Sequence, residues 1–525
     1  MKSVVAANSH IGRSSSLSFF KPQYRRSLAF GCTSGLLFGI GFAGSSPAHS
    51  NGVVDCTGRT VVAAGKSDAQ QVDAIESMAL AESTITGEDI VCLNGSFVIN
   101  DEIFLIDSTE DVTFYGVGAS SSIEHAGGTV VRAAWPESLL TINNLTISGS
   151  ENAIRGYNVS IINSTFSGNT STYPGAAIQA IETVTISNSS FSNNIADNYG
   201  GAILAGGNAT VVNSSFSLNS SSMDGGAIAT EGTITVSNSK FFSNSSEGNG
   251  GAIIATEVEV SNSTFASNTA LNGGAIYSFP LVDFPPTGSI DARNSTFLGN
   301  QADEEGGAIF AEEGVTYFST FVNNLAATPD VDPLVDTPGN AIYKSGTETF
   351  NLAGNIFAGN SPYPQLGIGA PVTATTFTDQ GGNIFSTPAE PDISGTYSPV
   401  FGASLTSLFG TNSPALATYA PNTNGTQTIA LGPGSPALNA VPDLAPYNLI
   451  TLDQRGQTRS FPADAGAFQG FVIPTSTPNS TTPAVLAKTG NENLFWSSLA
   501  SGSLIVFGTL VAMVTSRLRR RTTNL

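Results

Sequence analysis

Basic residues, histidine and cysteine are scarce in this chain. Among 525 residues there are 19 Lys or Arg, three His and three Cys, set against 40 Asp or Glu. The formal net charge of −21 excludes a natural partner in nucleic acid or anionic lipid, both of which such a surface repels. The shortage of histidine leaves a Ser-His-Asp relay or a His-ligated zinc site poorly supplied: His10 and His49 fall in or beside a leader segment, so His125 is almost the only one left. The middle of the chain also lacks a 3.6-period apolar face and is too rich in Gly, Asn and Ser for helices, which sets a helical solenoid aside.

What is there instead is a repeat of about 25 residues running from about Ile142 to Asn324. Each unit reads Gly-Gly-Ala-Ile, a short alternating apolar run, then Asn-Ser-x-Phe-x-x-Asn. The phenylalanines are Phe166, Phe191, Phe216, Phe241, Phe265, Phe297 and Phe321; each is followed three residues on by Asn169, Asn194, Asn219, Asn244, Asn268, Asn300 or Asn324. Seven and five residues before most of them stand Val or Ile, as in Val184/Ile186 and Val258/Val260, alternating with Ser and Thr. That is the period-2 pattern of a strand with one buried face. A run so short cannot form a core alone, so copies must stack. The expectation is an all-β fold, a right-handed parallel β-helix of three short strands and three bends per turn. Phe would form an internal column, Asn would sit at a bend in the left-handed conformation or in an amide ladder, and the paired glycines would supply positive φ at corners.

The two-part phrase Gly-Gly-Ala-Ile plus Phe-x-x-Asn resembles the repeats of the chlamydial polymorphic outer-membrane protein family. The resemblance covers about a third of the chain and implies a right-handed β-helical surface adhesin. Those proteins end in an outer-membrane β-barrel and this sequence does not, so their export and anchoring are not implied.

The ends read as export and anchoring signals. Lys21, Arg25 and Arg26, an apolar run from Leu28 to Ala43, and Ser46-Pro47-Ala48-His49-Ser50 have the layout of a secretory signal, with cleavage after Ala48 or Ser50. Arg25-Arg26 also resembles a twin-arginine signal, and a membrane span is the other alternative. Removing both signal ends leaves roughly 10 basic residues against 39 acidic, about −29. Cys32 leaves with the signal; Cys56 and Cys92 then form either a disulfide or two buried thiols. Between them, Ser67 to Ser83 reads as a short helix covering the open end of the coil.

Towards the other end, Leu431-Gly432-Pro433-Gly434-Ser435-Pro436-Ala437, Asp453-Gln454-Arg455-Gly456 and Asp464-Ala465-Gly466-Ala467-Phe468 resemble the closing segment of bacterial β-helix surface proteins, which finishes and covers the last turns. Residues 474–485 form a Pro/Thr/Ser spacer. Leu486-Ala487-Lys488-Thr489-Gly490, an apolar run from Leu494 to Val514, and Arg517, Arg519, Arg520 and Arg521 then follow in an order that resembles a sortase cell-wall sorting signal. That resemblance implies cleavage between Thr489 and Gly490 and transfer of the Thr carboxyl to a cell-wall precursor. Ala487 in place of Pro resembles the signals of the class E sortases of actinobacteria. A permanent single-pass anchor is the alternative. The expected organisation is therefore 1–50 signal, 51–139 cap and first turns, 140–361 repeats, 362–473 irregular last turns and cap, 474–485 spacer and 486–525 sorting signal with a C-terminal transmembrane helix.

One place in the repeats carries candidate chemistry. In the outward column six residues before each Phe, Ser160, Thr185, Thr210 and Thr235 give way to Glu259 and Asp291, with Glu257 and Arg293 on the same face. β-helical polysaccharide lyases and hydrolases place acids and a base or Ca²⁺ in such positions; a solvated charged patch is the plainer reading. The unit holding Asp291 also carries about eight extra residues, Phe279 to Pro286 among them, a loop suited to a partner. Asp224, Asp303, Glu304 and Glu305 precede Gly-Gly corners and could take Ca²⁺, though without calcium-loop spacing. The many Asn-x-Ser/Thr triplets, such as Asn163-Ser164-Thr165, follow from the repeat and not from glycosylation. No cofactor is otherwise expected. The expected partners are sortase, peptidoglycan and an unnamed host or matrix ligand, with the membrane touched only through the precursor's C-terminal helix. The function expected is a wall-anchored, non-enzymatic adhesin; a wall-tethered polysaccharide lyase or glycoside hydrolase using Glu259, Asp291 and Arg293, and a surface-coat component, are the alternatives.

Overall fold

The structure is a computed structural model. It describes Cys56 and residues 61–470 apart from 64–69, 73, 76–88, 105–110, 119, 126, 134–135, 280–287, 328–338, 361–363, 369–376, 391–392, 396–398, 420–424 and 444–449. The expected leader, the spacer, the sorting motif and the C-terminal apolar run all lie outside these residues.

The repeat builds a parallel β-helix. One turn runs through Ile178–Ala180, Val184–Ser187, Ser190–Ser192 and Ile195–Ala196, after which Ile203–Ala205 begins the next. Like strands stack in parallel and in register, Val184 on Ala209 and Ile186 on Val211, into sheets of 14, 12, 11 and 7 strands. They are called here the Val sheet, the Phe sheet, the Ile sheet and the short sheet. The short sheet is the departure from the expected three strands. Its two-residue members, such as Ile195–Ala196, are too brief to show a period in sequence, yet they pair all the same.

The interior is layered by residue type. Phe166 to Phe321 form one continuous stack with adjacent centroids 4.8–5.1 Å apart and planes within 8°. Two further rings, Phe357 and Phe385, extend it past the last unit that is plain in sequence. Strand spacing of about 4.8 Å sets this distance, so identical side chains on successive turns must stack face to face.

The Asn column is a buried ladder. From Asn169 to Asn324 each Nδ2 donates to the Oδ1 of the Asn one turn on, at 2.8–3.2 Å, and the series ends on Asn360. Each backbone N–H donates to that same Oδ1, and from Asn194 onward the second Nδ2 proton goes to the Phe carbonyl of the preceding turn. From Asn194 onward both Nδ2 protons and the Oδ1 of these side chains are thus satisfied without water. The ladder residues do not take the left-handed conformation expected of them; it falls one residue earlier, at Asn193, Leu218, Ser243, Ser267 and Asn323. A second ladder joins the serines: the N–H of Ser164, Ser189, Ser214 and Ser239 each donates to the next Ser Oγ at 3.0–3.1 Å.

The paired glycines divide their work, correcting the expectation that both serve positive φ. Gly225 has φ +72°, whereas Gly226 is needed for contact: a Cβ there would lie 2.1 Å from the carbonyl oxygen of Gly251 in the next turn.

At the N-terminal end Val61–Ala63 pairs with Asp89–Asn94, and Cys56 and Cys92 are joined by a disulfide. Residues 70–72 and 74–75 are helical, with Val72 and Ile75 continuing the core of the first turns.

The C-terminal end is closed by side chains. Glu390 is buried and accepts from the N–H groups of Gln365 and Leu366 at 3.1–3.2 Å, where the carbonyls of a further turn would stand. Glu390→Ala leaves those two donors without acceptors at a cost of about 1–3 kcal/mol each. The expected result is faster amide exchange at 364–368 and new self-association through the freed edge, with the exchange of residues 142–326 unchanged.

The serine ladder continues to Ser319, passes to Asn355 and Asn383, and ends on Asp379. Its Oδ1 accepts from Asn383 Nδ2 and from the Gly381 N–H, while Oδ2 is buried without a partner among the described residues. Burial raises its pKa against the lowering effect of those two bonds. A carboxyl with a raised folded pKa adds stability that is full below the unfolded value and is lost as pH rises through the folded one. Asp379→Asn should therefore raise the thermal midpoint at pH 7, and the gain should shrink as pH falls towards about 4, checked by melting both forms across that range.

The segment expected to close the coil lies along its flank. The Gln454 side chain donates to the Ser263 carbonyl and the Thr264 hydroxyl and accepts from Thr296, Ala467 N–H donates to Thr320 Oγ1, and Arg459 Nη2 reaches Asn294 Oδ1. Leu408, Ile429, Leu431 and Val441 pack there against Phe318 and Val322. Arg455 pairs with Asp453 at 2.6 Å over the face of Phe468. Arg459, fully buried over Phe318, has its pKa lowered by burial to about 10, with Asp453 and Asp464 opposing.

Candidate binding surface

With the inner columns committed to packing, the side chains free to differ are those facing outward from the Val and Ile sheets. On the Val sheet Glu259 and Asp291 lie on adjacent turns in register, between Thr235 and Val315. Arg293 follows two residues after Asp291 and therefore points the same way. Its Nε donates to Asp291 Oδ1 at 2.7 Å and its Nη2 to Oδ2 at 2.5 Å, so both carboxylate oxygens are occupied. The guanidinium also lies 5.8 Å from the Tyr317 ring. Burial would lower its pKa, but the hydrogen bonds and charge of Asp291 outweigh that and raise it. Glu259 is exposed and accepts from Thr235 Oγ1 at 3.2 Å, and Glu257 accepts from Thr233 Oγ1 at 2.8 Å. The three residues singled out in sequence thus share a face, with Asp291 and Arg293 satisfying one another.

The acids before the Gly-Gly corners are tied into the wall. Asp224 Oδ1 accepts from Asn249 N–H at 2.6 Å, and burial raises its pKa in spite of that bond. Asn272 Nδ2 reaches Glu304 Oε2 at 3.4 Å and its Oδ1 accepts from Glu305 N–H. Among the described residues no three His, Cys, Asp or Glu side chains converge as a metal-binding group.

The Ile sheet carries an outward column that sequence reading missed. From Gln179 onward it is the residue after Ile in each Gly-x-Ala-Ile phrase, a fixed offset; Arg132 and Arg155, which follow Val131 and Ile154 outside that phrase, join it only through the strand register. The residue type changes along the coil. Arg132, Arg155 and Gln179 stand half-buried on successive turns; then come Leu204, Ala229 and Ile254, buried against Tyr199 and Met223; then the half-buried Tyr277 and the buried Phe310 and Tyr343. Tyr277 and Phe310 stack at 4.5 Å, and Phe310 and Tyr343 are 5.0 Å apart. Phe279, expected as part of an exposed loop, is half-buried 5.9 Å from Tyr277; the rest of that loop lies outside the described residues. Burial raises the Tyr277 pKa strongly, helped by Asp224, Glu305 and Glu312, so its hydroxyl stays neutral.

Three segments, residues 188–206, 262–278 and 294–312, match the Chlamydia polymorphic membrane protein (Chlamydia_PMP) repeat. Each spans one Asn-Ser-x-Phe-x-x-Asn and the Gly-Gly-Ala-Ile that follows. The repeats of the coil are similar to those of that family. The match falls on the Ser ladder, the Phe stack, the Asn ladder and the glycine corner, all of which are scaffold. No curated protein matches the chain.

Proposed function

We propose that this chain is an adhesin-type surface protein, a β-helical coil exported from a Gram-positive, actinobacterial cell and joined to peptidoglycan by a sortase acting at Leu486 to Gly490. The observation that carries the binding role is the polar end of the outer column of the Ile sheet, where Arg132, Arg155 and Gln179 are half-buried on successive turns beside the exposed Tyr173 ring, over a scaffold whose inner columns repeat. Cationic and aromatic side chains that reach solvent on a rigid repeated scaffold suit recognition of a partner. The similarity to the polymorphic membrane protein repeat supports display at a surface. The Asp291–Arg293 pair favours a structural use of that patch over acid–base chemistry, because both carboxylate oxygens are already engaged.

The experiment is fractionation of cells producing the full chain. Wall attachment predicts release by a muramidase but not by detergent, with Thr489→Ala shifting the protein to the detergent-soluble fraction. Cells displaying the wild type should bind matrix or neighbouring cells better than cells lacking it. Recovery of an intact C-terminal Arg517–Arg521 tail from the wall fraction would remove the sorting step. Hydrolysis or elimination of an acidic glycan, abolished by Asp291→Ala, would replace the adhesin with an enzyme.

A further inference from the structure

Arginine is rare in this protein and, where described, almost always consumed. Arg132 pairs with Glu102, Arg293 with Asp291 and Arg455 with Asp453, while Arg459 gives hydrogen bonds to Leu452, Asp464, Gly466 and Asn294. Arg155 differs. Its Nε donates to Gln179 Oε1 at 2.9 Å, and its two terminal nitrogens have no acceptor among the described residues. It stands on the strand Ile154–Gly156 in register with Arg132, so two guanidinium groups occupy adjacent turns about 4.8 Å apart along the coil. Burial and the charge of Arg132 lower its pKa, with Glu102 and Tyr173 opposing. The cation is therefore held at a cost that an incoming anion would relieve. Beside it the Tyr173 ring, 5.4 Å from the guanidinium carbon, is 53% exposed.

We propose that Arg155, backed by Arg132 and flanked by Tyr173, binds the carboxylate of a uronic acid unit in an acidic polysaccharide, with the sugar ring resting against the exposed tyrosine. This deepens the adhesin reading by naming its ligand class. The guanidinium fork matches a carboxylate in two parallel hydrogen bonds. An aromatic ring beside it supplies the apolar platform that the C–H face of a sugar takes. A net charge of −21 opposes any polyanion at long range, the denser charge of nucleic acid more than one carboxylate per sugar, so binding here relies on the short-range contacts at Arg155 and Tyr173. Lys240, another cation with no acceptor among the described residues, has Ser215 and Thr264 as its neighbours in register and no second cation beside it there. It provides a control.

The test is a titration of the purified exported chain with oligogalacturonate, with its fully methyl-esterified form and with a glutamate-rich peptide. The expected result is binding to the acid oligomer that weakens with added salt, and no binding to the ester. Arg155→Gln should weaken it about 10- to 100-fold, Tyr173→Ala by roughly threefold or more, and Lys240→Gln should leave it unchanged. Both site residues reach solvent, and unchanged circular dichroism will show that the variants fold. Absence of binding, equal binding of the ester, tighter binding of the peptide, or full binding by Arg155→Gln would each overturn the proposal. Cell adhesion separates the two readings. Adhesion that persists in Arg155→Gln sinks this site and spares the adhesin. A display strain that never adheres sinks the adhesin, while the titration still decides the site.

Discussion

Asn219→Leu should be among the most damaging single changes in the coil, lowering stability by about 4 kcal/mol or more. The leucine is close in size, so the loss comes from hydrogen bonds and not from a hole. Without Oδ1, the backbone N–H and Nδ2 of Asn194 both lose their acceptor; without Nδ2, the Phe191 carbonyl loses a donor. All of these groups lie where the side chains are fully buried and water cannot replace the missing partner. Urea unfolding should show a lower midpoint, and amide exchange should rise first in the turns on either side of residue 219. An unchanged midpoint would mean that the ladder contributes no net stability.

Phe216→Ala attacks the neighbouring column by a different route. Its ring lies 4.8 Å from both Phe191 and Phe241, with planes within 4°. The rings above and below are fixed by strands hydrogen-bonded at constant spacing, so they cannot close the gap. A cavity remains, and the expected loss is about 3–5 kcal/mol. Phe216→Leu should recover much of it, and restored stability in the Leu form would separate cavity formation from loss of ring stacking. Because each turn touches mainly its neighbours, both substitutions should also reduce cooperativity, splitting the melt into two transitions at the altered turn.

The coil was readable because each inner position answers to one repeated constraint. Val184 and Ile186, Phe191, Asn194 and the Gly200-Gly201 corner recur at a constant interval, and the sheets keep the same residues in register. Three things escaped. The short sheet escaped because strands of two residues carry no period. The continuation of the Phe column into the last turns escaped because insertions separate Phe321, Phe357 and Phe385 unevenly, although the rings still stack. The outer column of the Ile sheet escaped because nothing in its own chemistry repeats: Arg155, Leu204 and Tyr277 share a place only once the backbone has aligned them. The acidic pair was legible as a shared face, since Glu259 and Asp291 do meet in register. What sequence could not tell was that Arg293 bends back onto Asp291, a rotamer choice that leaves no trace in spacing.

The amide-to-amide links of the Asn ladder all run one way, each Nδ2 handing one proton to the Oδ1 of the following turn until Asn360 passes it to Gln365. A coil with such directionality has a tail that cannot be cut freely, because Gln365, Asp379 and Glu390 are its terminators. Its middle is different. Residues 200–224, one complete unit, begin and end at the same point of the circuit as 225–249, so excising them would bring matching donors and acceptors together across the splice. Shortening or lengthening of a gene by whole units, through slippage or unequal crossing-over, would therefore change reach while preserving both finished ends.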